Sequence, residues 1–447
     1  MSRDKEILSL NAYHPHAPGL VDPELRAALE RRMRSFGSGS VLFYQQPIRM
    51  VRAEGVWMHD ADGRRYLDVY NNVPSVGHSH PVVVEAIRRQ VGELNTHTRY
   101  LNDVVDDYAE QLLATLPAPI SRLILTCTGS EANDLALRIA QATTGGTGFI
   151  VTEAAYHGNT AAVTDVSPSS RPGRTPPPHV RVVPAPDSFR SPDNDIGARF
   201  AATVTLAIAD LERSGIKFAG LLIDTIFSSD GVYADPPGFL AATLDVVHAH
   251  GGLLIADEVQ PGFGRTGTDF WGFARHGVRP DIVTMGKPMG NGFPMGGVAM
   301  RPELMDRFTD EVKYFNTFGG NPVAAAAGLA VLKVLRDEAL MENARNVGGY
   351  LMDGLREIGN RHMQIGDIRG SGLFVGLELV RDRELKQPAP EIASQLINGL
   401  RDRGILIGAA GPFGSTLKIR PPLCFTKEHA DMVVSACDAE LTAIIAA

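Results

Sequence analysis

Short apolar runs alternate with helical stretches along the middle of the chain, and this alternation constrains the fold more than any other feature. The apolar runs predict buried strands at Arg122–Cys127, Gly148–Glu153, Ala219–Asp224, Leu253–Val259 and Asp281–Met285. Helical patterns at Ser130–Ala142 and Pro237–His250 separate some of these strands. Strands that are apolar throughout and alternate with helices are typical of a parallel sheet covered on both faces. The sequence therefore predicts an α/β fold.

The two ends of the chain follow different patterns. Gly55–Leu67 is strand-like and is expected to pack away from the central sheet. A long helical stretch, Pro322–Arg336, leads into a region with strands of its own, such as Gly372–Val380, which indicates a carboxy-terminal domain. Ser167–His179 is rich in Pro and Ser, so we expect a surface loop there and not a domain boundary.

Composition excludes several classes of protein. With 447 residues, 44% of them hydrophobic and 21% charged, the chain is typical of a globular protein and not of a disordered or fibrous one. Its 43 basic and 51 acidic residues give a net charge of −8, which argues against nucleic acid as a partner. Cys127, Cys424 and Cys437 lack the spacing of a zinc site, and they fit a reducing compartment without disulfides.

The amino terminus lacks the apolar segment of a secretory signal, and no apolar run reaches membrane-spanning length. We therefore expect a soluble, cytoplasmic protein. His14 and His16 could suggest a metal, but no acidic or cysteine partner is evident near them, and a mobile amino terminus is the preferred interpretation. Gly262–Gly267 matches the GxGxxG motif, but the residues after it do not predict a helix, so we reject a dinucleotide-binding dehydrogenase.

Three positions next to the predicted strands could carry chemistry. At Gly129 and Ser130 a strand ends and a helix opens, which suits a phosphate, although this feature alone is better explained as an ordinary helix cap. Asp257 follows an apolar strand at the sheet edge where ligands bind, but it could equally cap the next turn. Lys287 lies between glycines just past another buried strand, where a solitary lysine is usually solvated.

Taken together, the three positions indicate a cofactor. A phosphate anchor, an acid for a ring nitrogen and a lysine able to form a Schiff base are what pyridoxal 5′-phosphate (PLP) requires. They stand in that order on one predicted sheet. Tyr156, beside His157 and just after the strand that ends near Glu153, could stack on the ring. The sequence therefore predicts a PLP enzyme.

Five motifs give the chain a resemblance to the class III aminotransferase family of PLP enzymes, which has fold type I. They are GSEAND at Gly129–Asp134, AYHG at Ala155–Gly158, DEVQPGFGRTG at Asp257–Gly267, PDIVTMGKPMGNGFP at Pro280–Pro294 and NTFGGNP at Asn316–Pro322. The resemblance runs from about Val41 to the end of the chain. It implies PLP as the cofactor and a function for each matching residue.

The resemblance implies a catalytic set of Lys287, Asp257 and Tyr156, and no metal ligand. Lys287 is expected to form the Schiff base, Asp257 to pair with the pyridine nitrogen, and Tyr156 to stack on the ring. The other implied cofactor ligands are His157 beside the ring, Gln260 near the ring hydroxyl, the phosphate ligands Gly129 and Ser130, and Thr317, a phosphate ligand donated by a second subunit.

The same resemblance implies an architecture. The protein would be a homodimer with two active sites at its interface. A large PLP-binding domain over residues 76–324 would be built on a mainly parallel seven-stranded sheet. A small α+β domain would combine an amino-terminal segment, residues 1–75, with residues 325–447.

Within the family, the chain most resembles the ethanolamine-phosphate phospho-lyase group, the alanine–glyoxylate aminotransferase 2-like proteins. The stretches that carry this resemblance are Tyr66–Pro81, Leu94–Leu101, Gly286–Gly292, Tyr314–Pro322, Ile365–Ser371 and Leu417–Phe425. It implies β-elimination of phosphate from phosphoethanolamine, or from a similar small phosphorylated amine, to give acetaldehyde and ammonia. In this reaction Lys287 takes the proton from the carbon bearing the nitrogen, while Asp257 keeps the ring nitrogen protonated.

Other reactions use the same residues. The main alternative is an ω-aminotransferase that moves an amino group from a primary amine to a keto acid, and a second is an ammonia-lyase acting on an aminophosphonate. A PLP-binding regulator is disfavoured, because residues 1–40 are too short and too weakly basic for a DNA-binding domain.

Phosphoethanolamine has no carboxylate, so its site needs cations for a phosphate. Arg420 is the first candidate, but a guanidinium fork binds a carboxylate equally well and does not separate the two reactions. Arg265 and Asn72 are further candidates, with a structural ion pair and a turn cap as their alternatives. Asp224 stands where most of the family has a Glu, which in some aminotransferases helps to switch the carboxylate-binding arginine between substrates. The shorter side chain puts such a switch in doubt.

Overall fold

The computed structural model of the chain describes residues 12–13, 23–39, 41–191 and 195–446. His14 and His16 lie outside the described residues. Within these ranges the strands are β1 (Met50–Glu54), β2 (Trp57–Asp60), β3 (Arg65–Asp68), β4 (Arg122–Thr126), β5 (Gly148–Thr152), β6 (Val180–Val183), β7 (Phe218–Asp224), β8 (Leu253–Asp257), β9 (Ile282–Met285), β10 (Gly296–Met300), β11 (Ile365–Ser371), β12 (Phe374–Asp382), β13 (Gln387–Pro388), β14 (Ile405–Leu406), β15 (Gly408–Ala410) and β16 (Thr416–Ile419).

The α-helices of the described chain are α1 (Pro23–Phe36), α2 (Pro81–Glu93), α3 (Asp103–Leu113), α4 (Gly129–Thr144), α5 (Ala161–Asp165), α6 (Ile196–Arg213), α7 (Ala241–Ala249), α8 (Pro302–Glu311), α9 (Pro322–Asp337), α10 (Leu340–Gly359), α11 (Pro390–Asp402) and α12 (Lys427–Ala446). Among the described residues, none of these helices has the length and apolar character that crossing a membrane requires.

A seven-stranded sheet forms the centre of the fold, with the strand order β4-β10-β9-β8-β7-β5-β6. Strands β6, β5, β7, β8 and β9 pair in parallel, whereas β10 runs antiparallel between β9 and β4. The predicted α/β class and the mainly parallel sheet are confirmed. Strand β10 was not predicted from the sequence.

Both faces of this sheet are covered. Phe149 and Val151 face an apolar cluster that includes Leu135 of α4, whereas Ile150, between them in sequence, faces a second cluster that includes Phe200 of α6. Successive side chains of a strand point to opposite faces, so a strand buried on both faces must be apolar at every position. This is why the apolar runs in the sequence located the strands.

Two smaller sheets lie outside the central one. One has the order β1-β2-β3-β14 and joins the two ends of the chain, because β14 pairs in parallel with β3. The other has the order β11-β12-β16-β15. The strand-like segment Gly55–Leu67 contains two strands, β2 and β3, joined by a turn at Asp62 and Gly63 that suits Gly63 at φ +82°. The division into residues 1–75, 76–324 and 325–447 stays a prediction.

Several boundaries differ from the sequence prediction. Helix α7 begins later than the predicted Pro237, since Pro237 and Gly238, the latter at φ +88°, form a turn before it. The predicted loop Ser167–His179 contains one short 3₁₀ helix, Pro168–Ser170, and otherwise precedes β6 without regular structure. Gly262–Gly267 lies in consecutive turns and opens no α-helix, as the rejection of a dinucleotide site requires.

Candidate active site

The carboxyl ends of adjacent strands bring the predicted residues together. Asp257 ends β8, Lys287 follows β9 within two residues, and α4 begins just after β4. Asp224 ends β7 and is the register partner of Asp257. The carboxyl edge of a parallel sheet is where α/β proteins bind ligands, and here it holds two acids, a lysine and a helix amino terminus.

Asp257 is buried and held by three donors. Its Oδ2 accepts a hydrogen bond of 2.9 Å from the Asn133 amide and lies 2.7 Å from His157 Nδ1. Its Oδ1 accepts from the Val259 backbone N–H at 3.1 Å. Asn133 is itself fixed by Thr284, whose hydroxyl donates to its Oδ1 at 2.6 Å. The carboxylate therefore has a set position at the end of the strand.

Lys287 opens a short 3₁₀ helix, Lys287–Gly290, with its backbone at φ +26°. Burial and the nearby guanidinium of Arg420 lower the pKa of Lys287, while Asp257 and Asp224 act in the opposite direction. A lowered pKa favours the neutral amine, the form of lysine that acts as a nucleophile and as a base. The position and the lowered pKa both suit a Schiff-base lysine.

The amino terminus of α4 packs closely against the loop that follows β5. Thr128 caps the helix by accepting from the Glu131 N–H at 3.1 Å, and the Glu131 carboxylate accepts from the Cys127 N–H at 2.7 Å. Ser130 Oγ accepts from the Asn159 N–H at 3.2 Å. At Gly158, φ +140°, an added Cβ would lie 2.5 Å from Ser130 Oγ. The cap thus uses Thr128, and Ser130 is left at the surface of the sheet edge as a candidate anion ligand.

A cavity of about 170 Å³ lies beside Lys287. Four predicted residues line it, namely Tyr156, Gln260, Lys287 and Arg420. The lining also includes residues that the sequence analysis did not assign to the site, among them Phe43, Tyr70, Ser229 and Lys418. No Asp or Glu is part of this lining among the described residues. Its charged groups are therefore all cationic.

Arg420 is buried and enters the cavity from the end of β16. Its Nη1 donates to Asn72 Oδ1 at 3.1 Å and to Gln260 Oε1 at 2.7 Å. The guanidinium carbon lies 4.5 Å from the centre of the Tyr70 ring. The buried Nε has no hydrogen-bond partner in the described structure. Asn72 therefore holds Arg420 in place, and the guanidinium keeps donors for a ligand.

Lys418 is a second buried cation of the cavity and was missed in the sequence. Its Nζ lies 3.4 Å from Ser228 Oγ. Ser228 also accepts a hydrogen bond of 2.6 Å from Gln260 Nε2 and donates to the Asp224 carboxylate. Lys418 lies in β16 and Arg420 directly follows its last residue, so the two side chains, two positions apart, reach the same cavity. That spacing within Leu417–Phe425 was the signal that could have revealed Lys418.

Arg265 does not line the cavity, contrary to its prediction as a substrate ligand. Its guanidinium is fully buried and donates to the carbonyl oxygens of Leu373 and Pro421. In the described chain no acid pairs with it, so the ion-pair alternative is also wrong. Burial and Arg420 lower its pKa to about 9. Arg265 holds the loops behind Arg420 together.

Thr317 is exposed in the single chain and does not line the cavity beside Lys287. Its predicted contact needs a second subunit and stays a prediction. Gln260 lies in the cavity, but its side chain bonds Arg420 and Ser228.

Comparison with known proteins identifies the family. The family model described as aminotransferase class-III matches residues 43–441. The chain belongs to the class III aminotransferase family. It is 41% identical to the ethanolamine-phosphate phospho-lyase homolog 1 of Caenorhabditis elegans, over 93% of each chain. It is 40% identical to the mitochondrial alanine–glyoxylate aminotransferase 2 homolog 2 of Arabidopsis thaliana, over 96% of this chain and 89% of the relative.

A solved structure of the family supports the same assignment. A phospholyase from Arthrobacter, in complex with phosphoethanolamine, is 44% identical to this chain and superposes with a TM-score of 0.90. The match covers 93% of this chain and 99% of the phospholyase. Phospholyases and aminotransferases thus both stand among the relatives.

Members of this class III family use PLP, and the site fits that cofactor. Lys287 would bind it, the buried Asp257 would pair with its ring nitrogen, and Gly129 with Ser130 would take its phosphate. Gly158 lets the loop after β5 approach Ser130 closely, since any side chain at this position would collide with Ser130. The buried His157 Nε2 has no hydrogen-bond partner in the described structure, which fits a position beside the cofactor.

Proposed function

We propose that the protein is a PLP-dependent phospho-lyase that eliminates phosphate from phosphoethanolamine or a similar small phosphorylated amine. The observation that carries the proposal is the cationic wall of the cavity. Lys418 and Arg420 are both buried there, and no described carboxylate lines the cavity beside them. Buried cations are costly unless an anion pairs with them. A phosphate dianion would neutralise both cations, whereas a carboxylate carries a single negative charge and would neutralise only one of them.

Asp224 supports the same proposal. In the alternative reaction an acid at this strand end would engage the carboxylate-binding arginine during part of the cycle. Here the Asp224 carboxylate accepts from the Ile226 and Ser228 N–H groups, at 3.0 and 3.2 Å, and from the Ser228 hydroxyl. Arg420 instead bonds Asn72 and Gln260. The acid bonds its own turn rather than the arginine, and no carboxylate of the described residues bonds Arg420.

The residues divide the work of elimination. When bound, PLP supplies the electron sink for cleavage of the C–H bond. Asp257 keeps the ring nitrogen protonated, and its three donors hold it in place. Lys287, whose pKa is lowered by burial and by Arg420, takes the proton from the carbon that bears the nitrogen. Lys418 and Arg420 bind the phosphate that leaves from the adjacent carbon.

The test is to incubate the PLP-loaded protein with phosphoethanolamine in the absence of a keto acid. Catalytic release of phosphate and acetaldehyde together is expected. If neither is released, and amines are converted only after pyruvate is added, the protein is an ω-aminotransferase and Arg420 binds a carboxylate. That second function is favoured by one observation, the 40% identity to an alanine–glyoxylate aminotransferase 2 homolog.

The assembly and the location belong to the proposal as well. We propose a homodimer in which Thr317 of one subunit completes the phosphate site of the other. The exposed position of Thr317 supports this, since a ligand residue that faces solvent in one chain needs a partner. A cytoplasmic location remains a prediction from the sequence.

A further inference from the structure

Elimination of a phosphate ester needs a proton donor as well as a base. When the bond between carbon and oxygen breaks, its electron pair goes to the oxygen. A dianionic ester would then leave as the strongly basic trianion of phosphate unless a proton reaches that oxygen during cleavage. An efficient general acid lies within hydrogen-bond reach of the oxygen and has a pKa near the working pH.

Lys418 is placed for this purpose. Its Nζ is held 3.4 Å from Ser228 Oγ, and Ser228 is fixed in turn by Gln260 and by the Asp224 carboxylate. On its other side the ammonium lies 5.5 Å from the centre of the Phe374 ring. The side chain lines the same cavity as Lys287. It is therefore a buried cation of this cavity to which no part in cofactor binding has been assigned.

The charged groups that face Lys418 come from several elements. They are Arg420 just after its own strand, Asp224 at the end of β7, Asp230 in the following turn and Lys287 after β9. Burial, Arg420 and Lys287 lower the pKa of Lys418 well below its usual value, while Asp224 and Asp230 oppose them. An ammonium of lowered pKa is a stronger acid than an ordinary lysine. A bound phosphate dianion would favour its protonated form before the reaction.

The other cavity groups are less suited. A guanidinium is a much poorer proton donor than an ammonium, so Arg420 suits phosphate binding rather than proton transfer. Burial raises the pKa of Tyr156, which makes its hydroxyl a weaker acid. Lys287 could return the proton that it has just taken from carbon, and this is the alternative that a test must exclude.

We propose that Lys418 binds the substrate phosphate and donates its proton to the departing oxygen, an inference that rests on the proposed phospho-lyase function. Lys287 takes the proton from the carbon, and the electron pair of that C–H bond forms the new carbon–carbon double bond. The carbon–oxygen bond breaks with its electrons on oxygen, and the Lys418 proton moves there, so that hydrogen phosphate dianion leaves. Neutral Lys418 then regains a proton from water.

The experiment compares two leaving groups in the PLP-loaded protein. Phosphate needs the proton, whereas sulfate is a very weak base and leaves without one. Release of sulfate from ethanolamine O-sulfate therefore measures every step except protonation of the leaving group. Lys418→Arg keeps the cation but cannot donate. We expect its kcat for phosphate release to fall about 100-fold or more, with KM changed little and with sulfate release close to wild type. Lys333→Arg, at an exposed lysine on α9, is the matched control.

A binding measurement gives a readout other than turnover. Inorganic phosphate is titrated calorimetrically into the PLP-loaded protein in buffers of different ionisation enthalpy. Wild type is expected to take up a proton on binding, and Lys418→Arg to bind phosphate without that uptake. Lys418→Met should bind phosphate weakly, while the absorbance of lysine-bound PLP shows that the variant is folded.

The outcomes separate the two proposals. Wild-type phosphate release by Lys418→Arg would overturn the assignment and leave Lys287 as the acid. An equal loss with both leaving groups would also overturn it, because that pattern belongs to a structural residue. A wild-type protein that releases no phosphate from phosphoethanolamine without a keto acid would overturn the phospho-lyase function itself.

Discussion

Lys287 has a backbone conformation that few lysines adopt, with φ +26°, at the first residue of a 3₁₀ turn. Non-glycine residues in such conformations occur most often at functional sites, where the surrounding structure holds them. Lys287→Ala removes the amine and should abolish turnover, a loss far larger than that of a binding residue. The absorbance of lysine-bound PLP, measured on the purified protein, should disappear. Persistent activity would show that Lys287 is not the essential lysine.

At the same scale, the sequence predicted some site residues and missed others. Asp257 and Lys287 could be placed together because each follows an apolar strand, and strand ends of a parallel sheet meet at one edge. Lys418 was missed because it lies in β16, a strand of the sheet β11-β12-β16-β15. The position of β16 beside the cavity depends on its pairing with β12 and β15, which the sequence does not show. Arg265 lies outside the cavity and bonds backbone carbonyls, a placement that a sequence does not reveal.

Among the elements, the contact between α4 and the loop after β5 shapes the proposed phosphate site at Gly129 and Ser130. Gly158 has φ +140°, and an added Cβ would lie 2.5 Å from Ser130 Oγ. Gly158→Ala should displace the first turn of α4 and weaken PLP binding roughly tenfold or more, which corresponds to about 1.4 kcal/mol. Titration of the apoprotein with PLP measures the loss. Gly349→Ala, where space is open on α10, is the control and should leave PLP affinity unchanged.

A second prediction at the scale of elements concerns the carboxylate that joins β12 to its neighbours. Buried Glu378 bonds Arg369 at 2.8 Å and Arg190 at 2.6 Å, and it also accepts from the hydroxyls of Ser415 and Thr416. Burial alone would raise the pKa of Glu378, but Arg369 and Arg190 lower it to about 2, below the ordinary 4.5. Its contribution to stability is therefore complete above the ordinary pKa and is lost as the pH falls toward 2.

Glu378→Gln leaves two arginines without their carboxylate and should destabilise the fold by about 3–5 kcal/mol. Denaturant unfolding at neutral pH measures this loss, with the exposed Glu342→Gln as the control. The difference between wild type and Glu378→Gln should shrink as the pH falls below about 4.5. A difference that stays constant down to acid pH would show that the ion pairs do not stabilise the protein.

The elements themselves were predictable to different degrees. Strands buried on both faces gave continuous apolar runs, so β4, β5, β7, β8 and β9 were located closely. Strand β10 gave no such signal, because it begins with two glycines. Gly296 is required by the close approach of Thr128, whose carbonyl oxygen would lie 2.5 Å from an added Cβ. A strand that needs glycines so that another backbone can pack against it shows little hydrophobic pattern.

On the scale of the whole molecule, apolar side chains are exposed near Thr317. Phe318 is 70% exposed and Phe315 45%, and on the segment before α3 Tyr100 is 66% and Leu101 97% exposed. Soluble monomers rarely leave so many large apolar side chains uncovered in one region. We therefore expect a dimer in solution, which light scattering on a sizing column measures. A fully active monomer would contradict the shared active site.

Thr317→Ala tests whether the two active sites are shared. If Thr317 of one subunit donates to the cofactor phosphate of the other, the variant should still dimerise but should lose PLP faster. Loss of one hydrogen bond to a charged phosphate is worth about 1.5–3 kcal/mol, so the dissociation constant should rise roughly tenfold or more. PLP release on dialysis measures the change, and the exposed Thr309→Ala on α8 is the control. An unchanged PLP affinity, in a variant that still dimerises, would mean that the phosphate is held within one chain by Gly129 and Ser130.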